Sequence, residues 1–297
     1  MFWNNFGKYL KVGVVEDDRN RKDLLPLLRF FSSKSEDEYV SLDDYIENMK
    51  EGQKAIYYVT GDGKEKAAMS PAAEKVVGRG YEVLYMVEPL DEITIESIRE
   101  YKEFDILDVT KEQDLKLGDD DKDEEKKKKK EELTKEFSDV IEYLEGTLSG
   151  KVNKVTVSDL LTASPAALVQ GAYGVSPTMQ RYMKAQSVAA GGDDQGLNSM
   201  NQAVMEINPN HPIVKDLERM VKSGEKDSEE TKNFATLLYD VAGMTSGYDV
   251  DDAGEFAKRV MALMTTKARD DGAGVQDAVI EEKTEEQDPV IEVKTEE

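Results

Sequence analysis

The sequence contains no cysteine, one histidine and one tryptophan. The lack of thiols excludes disulfides, thiolate metal sites and cysteine nucleophiles together, and leaves the redox compartment unreadable. His211 has no second imidazole with which to form a metal pair or divide acid from base. Its setting, INPNHPI from Ile207, reads as a loop and helix start that holds an ordinary turn histidine. Positive charge is scarce too: 39 basic against 63 acidic residues give a formal charge of −24, which argues against nucleic acid or an anionic membrane as partner. No apolar run approaches the roughly 20 residues of a membrane span, and Met1 is followed by neither a signal nor a transit pattern. Serines are plentiful, yet no G-x-S-x-G elbow occurs.

What is present is length enough for about two domains. Phe2, Trp3, Phe6, Tyr9 and Leu10 open an apolar, helix-like face at once, as expected of a chain that starts inside a larger protein. Up to about Met49 the pattern reads as helical, through Leu24 to Phe31 and a capping box at Ser41 and Asp44. The rhythm then alternates. β-rich runs at Ala55 to Thr60, Glu82 to Val87 and Asp105 to Val109 are separated by a helix-like segment to Val77 and a helix from Ile93 to Tyr101, which predicts a small parallel sheet covered by helices. Gly118 to Lys130 has no apolar residue and reads as a charged linker, or at most the solvated start of a helix running from Glu131 to Leu144. Short strands are expected at Lys154 to Val157 and Ala167 to Gln170. Helices are expected at Pro177 to Gln186, Asn198 to Glu206 and Pro212 to Val221. Ala189 to Gly196 should be mobile, and the acidic tail disordered.

Three stretches invite a chemical reading. Gly61-Asp62-Gly63-Lys64 follows a strand and opens a helix, and Glu88 closes the next strand about where a dinucleotide fold keeps its ribose-binding acid. However, Lys66 stands where the third glycine belongs, and Glu65 where a phosphate loop needs Ser or Thr, so a plain strand-to-helix turn is the better reading. Asp119, Asp121, Asp123 and Glu125 lack the glycine and spacing of a calcium loop and read as a solvated charge run. The second half is rich in methionine, whose flexible thioethers suit either core filling or surfaces that repack against varied apolar partners. Leu197 and Met200 follow the glycine-rich segment and are candidates for an exposed patch.

The last folded stretch is a helical hairpin. Phe234, Leu237, Leu238, Val241 and Met244 recur at three-and-four spacing, Gly247 breaks the pattern, and Asp252 with Glu255 reads as a capping box that starts a second helix. Its stripe is Phe256, Val260, Leu263 and Met264, with Met261 beside it. Two such stripes pack either into the chain's own core, the commoner fate of an amphipathic hairpin, or with a second copy into a four-helix seam.

Several stretches together resemble the heat-shock protein 90 family of ATP-driven chaperones: FWNNFGKYLKVGVVED, PLLRFFSSKS, SLDDYIENM, QKAIYYVTGD, GYEVLYMVEPLDE, YMKAQ, MEINPNHPI and LLYDVAGMTSGY. The resemblance runs from Phe2 to about Thr266 and is similar to the family's middle and carboxy-terminal domains, most of all to plastid and other organellar members. It implies an α/β middle-domain remnant over residues 1–117, a charged linker over 118–130, an α-rich α+β dimerisation domain over 131–268 ending in the hairpin, and an acidic disordered tail over 269–297. It also implies that Phe234, Leu237, Leu238, Val241, Met244, Phe256, Val260, Leu263 and Met264 form a homodimer seam. Client contact is implied for Val175, Met179 and Met183 in GVSPTMQRYMKAQ, where Val175 replaces the family's aromatic anchor, and for Leu197 and Met200.

The partners implied are unfolded clients and co-chaperones, with neither nucleic acid nor a membrane span. ATP and magnesium belong to the family's upstream domain, so this chain is expected to hold no cofactor, no metal and no enzymatic activity of its own. Plastid stroma is the implied location, with mitochondrion or cytoplasm as alternatives. The competing readings are a dimeric scaffold that holds no client and a nucleotide-binding enzyme that uses the Gly61 turn.

Overall fold

The computed structural model describes residues 2–111, 115, 117, 123–171, 174–189, 203–224, 226–250 and 252–270, with the side chains of 36–37, 123–127 and 266–270 excepted. The first half is built on six strands: β1 (Phe30–Ser32), β2 (Ser35–Val40), β3 (Ala55–Thr60), β4 (Val83–Met86), β5 (Glu100–Tyr101) and β6 (Phe104–Asp108), in the order β2-β1-β4-β3-β6-β5. Only the centre, β4-β3-β6, is parallel, and both margins are antiparallel.

The expected parallel sheet is therefore the core of a mixed one. The helical reading of Leu24 to Phe31 gives way to α2 (Arg21–Leu24), one 3-10 turn (Leu25–Leu27) and β1. Pro26 has no amide to continue a helix, and Phe31 finds a cross-strand partner in Tyr85. At the other margin α6 (Pro89–Ile98) stops short of Tyr101 at Arg99, whose φ is 58°, and Tyr101 pairs with Phe104 in a two-residue strand. The stretch to Val77 is three short pieces, α4 (Lys64–Ala68), a 3-10 turn (Pro71–Ala73) and α5 (Glu74–Gly78).

Strand β3 shows why the sheet is covered on both sides. Its alternate residues Ile56 and Tyr58 join Val14 of α1 (Phe2–Glu16), Leu42 and Tyr45 of α3 (Leu42–Glu47) and Ile95 of α6. Ala55, Tyr57 and Val59 point the other way, to Ala67, Val76 and Val83. The capping box that starts α3 forms as expected: the Asp44 amide donates to Ser41 Oγ at 3.0 Å and the Ser41 amide to Asp44 Oδ2 at 2.9 Å.

In the second half α7 (Asp123–Glu136) begins inside the stretch read as linker. It breaks at Phe137, which is buried, before α8 (Ser138–Thr147). Strands β7 (Val152–Val157), β8 (Ala166–Val169) and β9 (Ala203–Ile207) form a sheet with β9 in the middle, parallel to β7 and antiparallel to β8. The expected helix from Asn198 to Glu206 is thus overturned at Ala203 to Glu206, and its first residues lie outside the described ones. All five residues of β9 are buried, and a short run covered on both faces has no alternation by which a strand could be told from a helix.

The remaining helices are α9 (Pro177–Ala189), α10 (Pro212–Lys222), α11 (Glu229–Thr245) and α12 (Ala253–Asp270). Val140 and Leu144 of α8, Val214 and Leu217 of α10, and Ala235, Leu238 and Ala242 of α11 close the core over Val155, Leu168 and Met205. The two halves are not separately packed. Val169 and Val204 of the second sheet enter the same apolar cluster as Tyr57, Val59 and Val76 of the first.

Candidate functional site

Helix α11 starts where Ser228 Oγ accepts from the Thr231 amide at 3.1 Å, and it ends as the chain turns at Gly247, where φ is 87°. Asp252 then caps α12, with Oδ1 accepting from the amides of Gly254 at 2.9 Å and Glu255 at 3.0 Å. The Glu255 carboxylate pairs with Lys258 at 2.7 Å. What fixes α12 on α11 is a charge pair: Arg259 reaches Asp240 Oδ2 through Nη2 at 2.6 Å and Nε at 3.2 Å, and the two side chains are 16% and 5% exposed.

The apolar stripe of α11 divides in two. Leu238, expected at the seam, is 4% exposed and packs with Ala235 and Ala242 into the chain's own core. It has no area left to give a partner. Phe234 is half-buried against the same core, and with Leu237, Leu263 and Arg259 it lines a cleft of about 200 Å³ between α11 and α12. Val241, Met244, Leu263 and Met264 remain exposed, as does Met261, while Phe256 and Val260 are half-buried. The hairpin therefore carries an apolar surface that the single chain does not cover, and such a contiguous exposed patch marks an interaction face.

Val175, two residues before helix α9, and Met179 and Met183 on it are half-buried. Leu197 and Met200 lie outside the described residues. Two exposed apolar side chains on α9, Tyr182 and Val188, escaped the sequence reading, although Tyr182 stands three residues after Met179 and shares its face. The helix is tied on two sides through its first turns. Ser176 Oγ accepts from the Met179 amide at 3.0 Å and donates to Glu92 Oε2 on α6, whereas Arg181 Nη1 donates to the Gly247 carbonyl in the hairpin turn at 2.8 Å. One helix thus touches both the first half of the chain and the hairpin.

Two carboxylates hold the joint between the halves. Glu74 of α5 accepts from the amides of Thr162 and Ala163, each at 2.8 Å, and from the hydroxyl of Ser164. Burial alone would raise its pKa, but these donors outweigh it and hold the carboxyl below the ordinary value. Beside it Lys75 Nζ meets Asp159 Oδ2 at 2.9 Å. Glu92 is the opposite case: burial, aided by the nearby carboxylates of Asp108 and Glu96, pushes it up to about 7 in spite of Ser176 and Lys111. Gln170 completes the joint, its amide donating to the Thr110 carbonyl and its Nε2 to Thr110 Oγ1, both at 2.8 Å. No local pattern announces these contacts, because the partners are 60 to 90 residues apart.

In the Gly61 turn the Gly61 amide donates to the Met86 carbonyl, the Gly63 amide to Gly61 and the Ala67 amide to Gly63, so these three donors serve the strand-to-helix turn itself. Lys66 pairs with Asp62 at 2.8 Å, and Glu88 lies at the start of α6, where Lys11 approaches it at 3.6 Å. His211 caps α10, its Nδ1 accepting from the Ile213 amide at 3.2 Å. Among the described residues no group of three or more His, Cys, Asp or Glu is placed to hold a metal ion, and no helix is long and apolar enough to cross a membrane.

The family model described as Hsp90 protein matches residues 1–297. The chain belongs to the Hsp90 family. Heat shock protein 90-5, chloroplastic, of Arabidopsis thaliana is 44% identical over 264 residues, which are 89% of this chain and 33% of the relative. Heat shock protein 90-6, mitochondrial, of the same plant is 43% identical over 264 residues, covering 89% of this chain and 32% of the relative. A solved middle domain of a Plasmodium falciparum heat shock protein is 48% identical, with a TM-score of 0.36, over 36% of this chain and 46% of its own. The chain spans about one third of the length of the curated relatives it matches.

Membership of this chaperone family gives the uncovered hairpin face and α9 a common context. Both surfaces are apolar, lie on helices rather than loops, and are linked through Arg181 and the Gly247 carbonyl. In this Hsp90-family chain the uncovered apolar surfaces are suited to association.

Proposed function

We propose that this chain supplies the homodimer contact and a client-facing surface of an ATP-driven chaperone of the plastid stroma. The observation that carries the reading is the row of Val241, Met244, Leu263 and Met264, exposed on a hairpin whose other side is fixed by core packing and by Arg259 with Asp240. Packing that row against its copy makes a four-helix bundle, and the same patch on both chains satisfies a two-fold axis. Holding two chains together raises the concentration of whatever is attached to each, which is the physical contribution of a tether to a chaperone that closes in pairs. Client contact is assigned to α9 through Met179, Met183, Tyr182 and Val188. Nucleotide and magnesium are assigned to the whole chaperone and not to the Gly61 turn.

The test is the molar mass of the purified chain by light scattering over a dilution series, beside a Val241→Glu, Met264→Glu double variant. Burying a carboxylate in an apolar seam is costly, so the variant should bind its copy roughly a hundredfold more weakly or worse while keeping its helical circular dichroism. A chain that is monomeric at every concentration would sink the reading. Suppression of aggregation of a heat-unfolded protein by the same chain separates the chaperone from a scaffold that holds no client, for which no suppression is expected.

A further inference from the structure

With no cysteine in the chain, thioethers carry all of its side-chain sulfur chemistry. The large apolar side chains exposed among the described residues include four methionines, Met69, Met244, Met261 and Met264. Three of the four lie on the terminal hairpin, 50%, 58% and 67% exposed, beside Val241 and Leu263. Met261 and Met264 stand one turn apart on α12, while Met244 lies in the last turn of α11. In contrast, Met86 and Met205, which pack in the interior, are almost inaccessible.

We propose that Met244, Met261 and Met264 form an oxidation site, at which hydrogen peroxide converts the thioethers to sulfoxides and thereby blocks pairing of two copies of this chain. The inference rests on the dimer reading above. In each event the peroxide O–O bond breaks and an S–O bond forms; sulfur loses two electrons and the peroxide leaves as water. The product replaces a soft apolar group by a strong dipole that accepts hydrogen bonds and offers none. Its neighbours Val241 and Leu263 have no side-chain donor to give it, so pairing would bury the new oxygen unsatisfied. Because pairing covers the three sulfurs, oxidation captures the dissociated chain, and reduction of each sulfoxide by an external dithiol, which becomes a disulfide as the oxygen leaves as water, releases it again.

The experiment treats the full chain with hydrogen peroxide, locates sulfoxides by peptide mass spectrometry and measures dimer dissociation by light scattering. It includes a Met244→Leu, Met261→Leu, Met264→Leu variant and a sample repaired with methionine sulfoxide reductases. The dissociation constant of the original chain should rise on the order of tenfold per buried sulfoxide and return after repair. The variant's dissociation constant, compared only with its own untreated value, should not move with peroxide, even though its Met69, at the end of α4, is oxidised. Sulfoxides at the three positions with an unchanged constant, no sulfoxides there, or a variant that is as sensitive as the original would each overturn the oxidation site while leaving the dimer intact. An untreated chain that never dimerises would overturn the dimer reading and the oxidation site with it.

Discussion

Replacing Arg259 by methionine should destabilise the chain by about 3 kcal/mol, because it strands the Asp240 carboxylate in a nearly dry site. The magnitude follows from exposure. Arg259 and Asp240 are 16% and 5% exposed and share two hydrogen bonds, whereas Lys258 and Glu255, one residue and four residues away from Arg259, are 71% and 50% exposed. Solvent screens the second pair, so Lys258→Met should leave no measurable mark. Pairing Arg259→Met with Asp240→Leu should restore most of the loss, since the penalty arises from the abandoned charge more than from a missing attraction. Urea denaturation of the four proteins measures this directly. A single variant as stable as the original would mean that water reaches Asp240. The loss should also weaken dimerisation, since Arg259 sets the angle at which α12 presents Leu263 and Met264.

The second large effect depends on pH. The ordinary glutamate value is 4.5, and burial raises Glu92 to about 7, so the folded chain holds this proton more tightly than the unfolded one. The stability it contributes is complete below the unfolded value and is lost as pH rises through about 7, a difference of about 3 kcal/mol across the window. The charged groups around it are Asp108 on β6, Glu96 on α6 and Lys111 just beyond β6, with the Ser176 hydroxyl on the opposite side. Burial also pushes Asp108 up, which adds to the slope, whereas Glu74 and Asp159 are lowered and give stability that is lost in acid. Glu92→Gln keeps an acceptor for Ser176 and removes the proton, so melting temperature plotted against pH should flatten near neutrality. An unchanged slope would show that Glu92 is hydrated. Where the carboxylate ionises, Ser176 and the start of α9 should loosen first.

Local pattern was enough for part of this architecture. The Ser41–Asp44 capping box, the turn at Gly247 and the Asp252 cap follow from spacing and residue type alone, because their partners are three to five residues away, and strand β3 follows from its run of β-branched and aromatic residues. Strand β9 was illegible for a physical reason: AVMEI is buried on both faces, and only its neighbours β7 and β8 decide that it is extended. Phe30 and Phe31 likewise became strand through pairing with β2 and β4. At the site, spacing identified the apolar stripe of α11 but could not separate Leu238 from Val241, since both fit one helical face and only the placement of α8 and β8 distinguishes inside from outside. The Asp240–Arg259 pair has no local signature, because it exists only where α12 lies back on α11. Glu74 and Glu92 gave no signal at all, as each acts on a loop far along the chain.

Val169 and Val204 sit among Tyr57, Val59 and Val76, which means that the peptide backbone is not the main bond between the halves. Were the chain severed between Lys111 and Asp123, the fragments would still have a common oily interior, the grip of Glu74 on residues 162–164 and the Gln170–Thr110 pair to keep them together. Cutting there would change the number of polypeptides without changing the number of folded bodies, and the two pieces would melt as one.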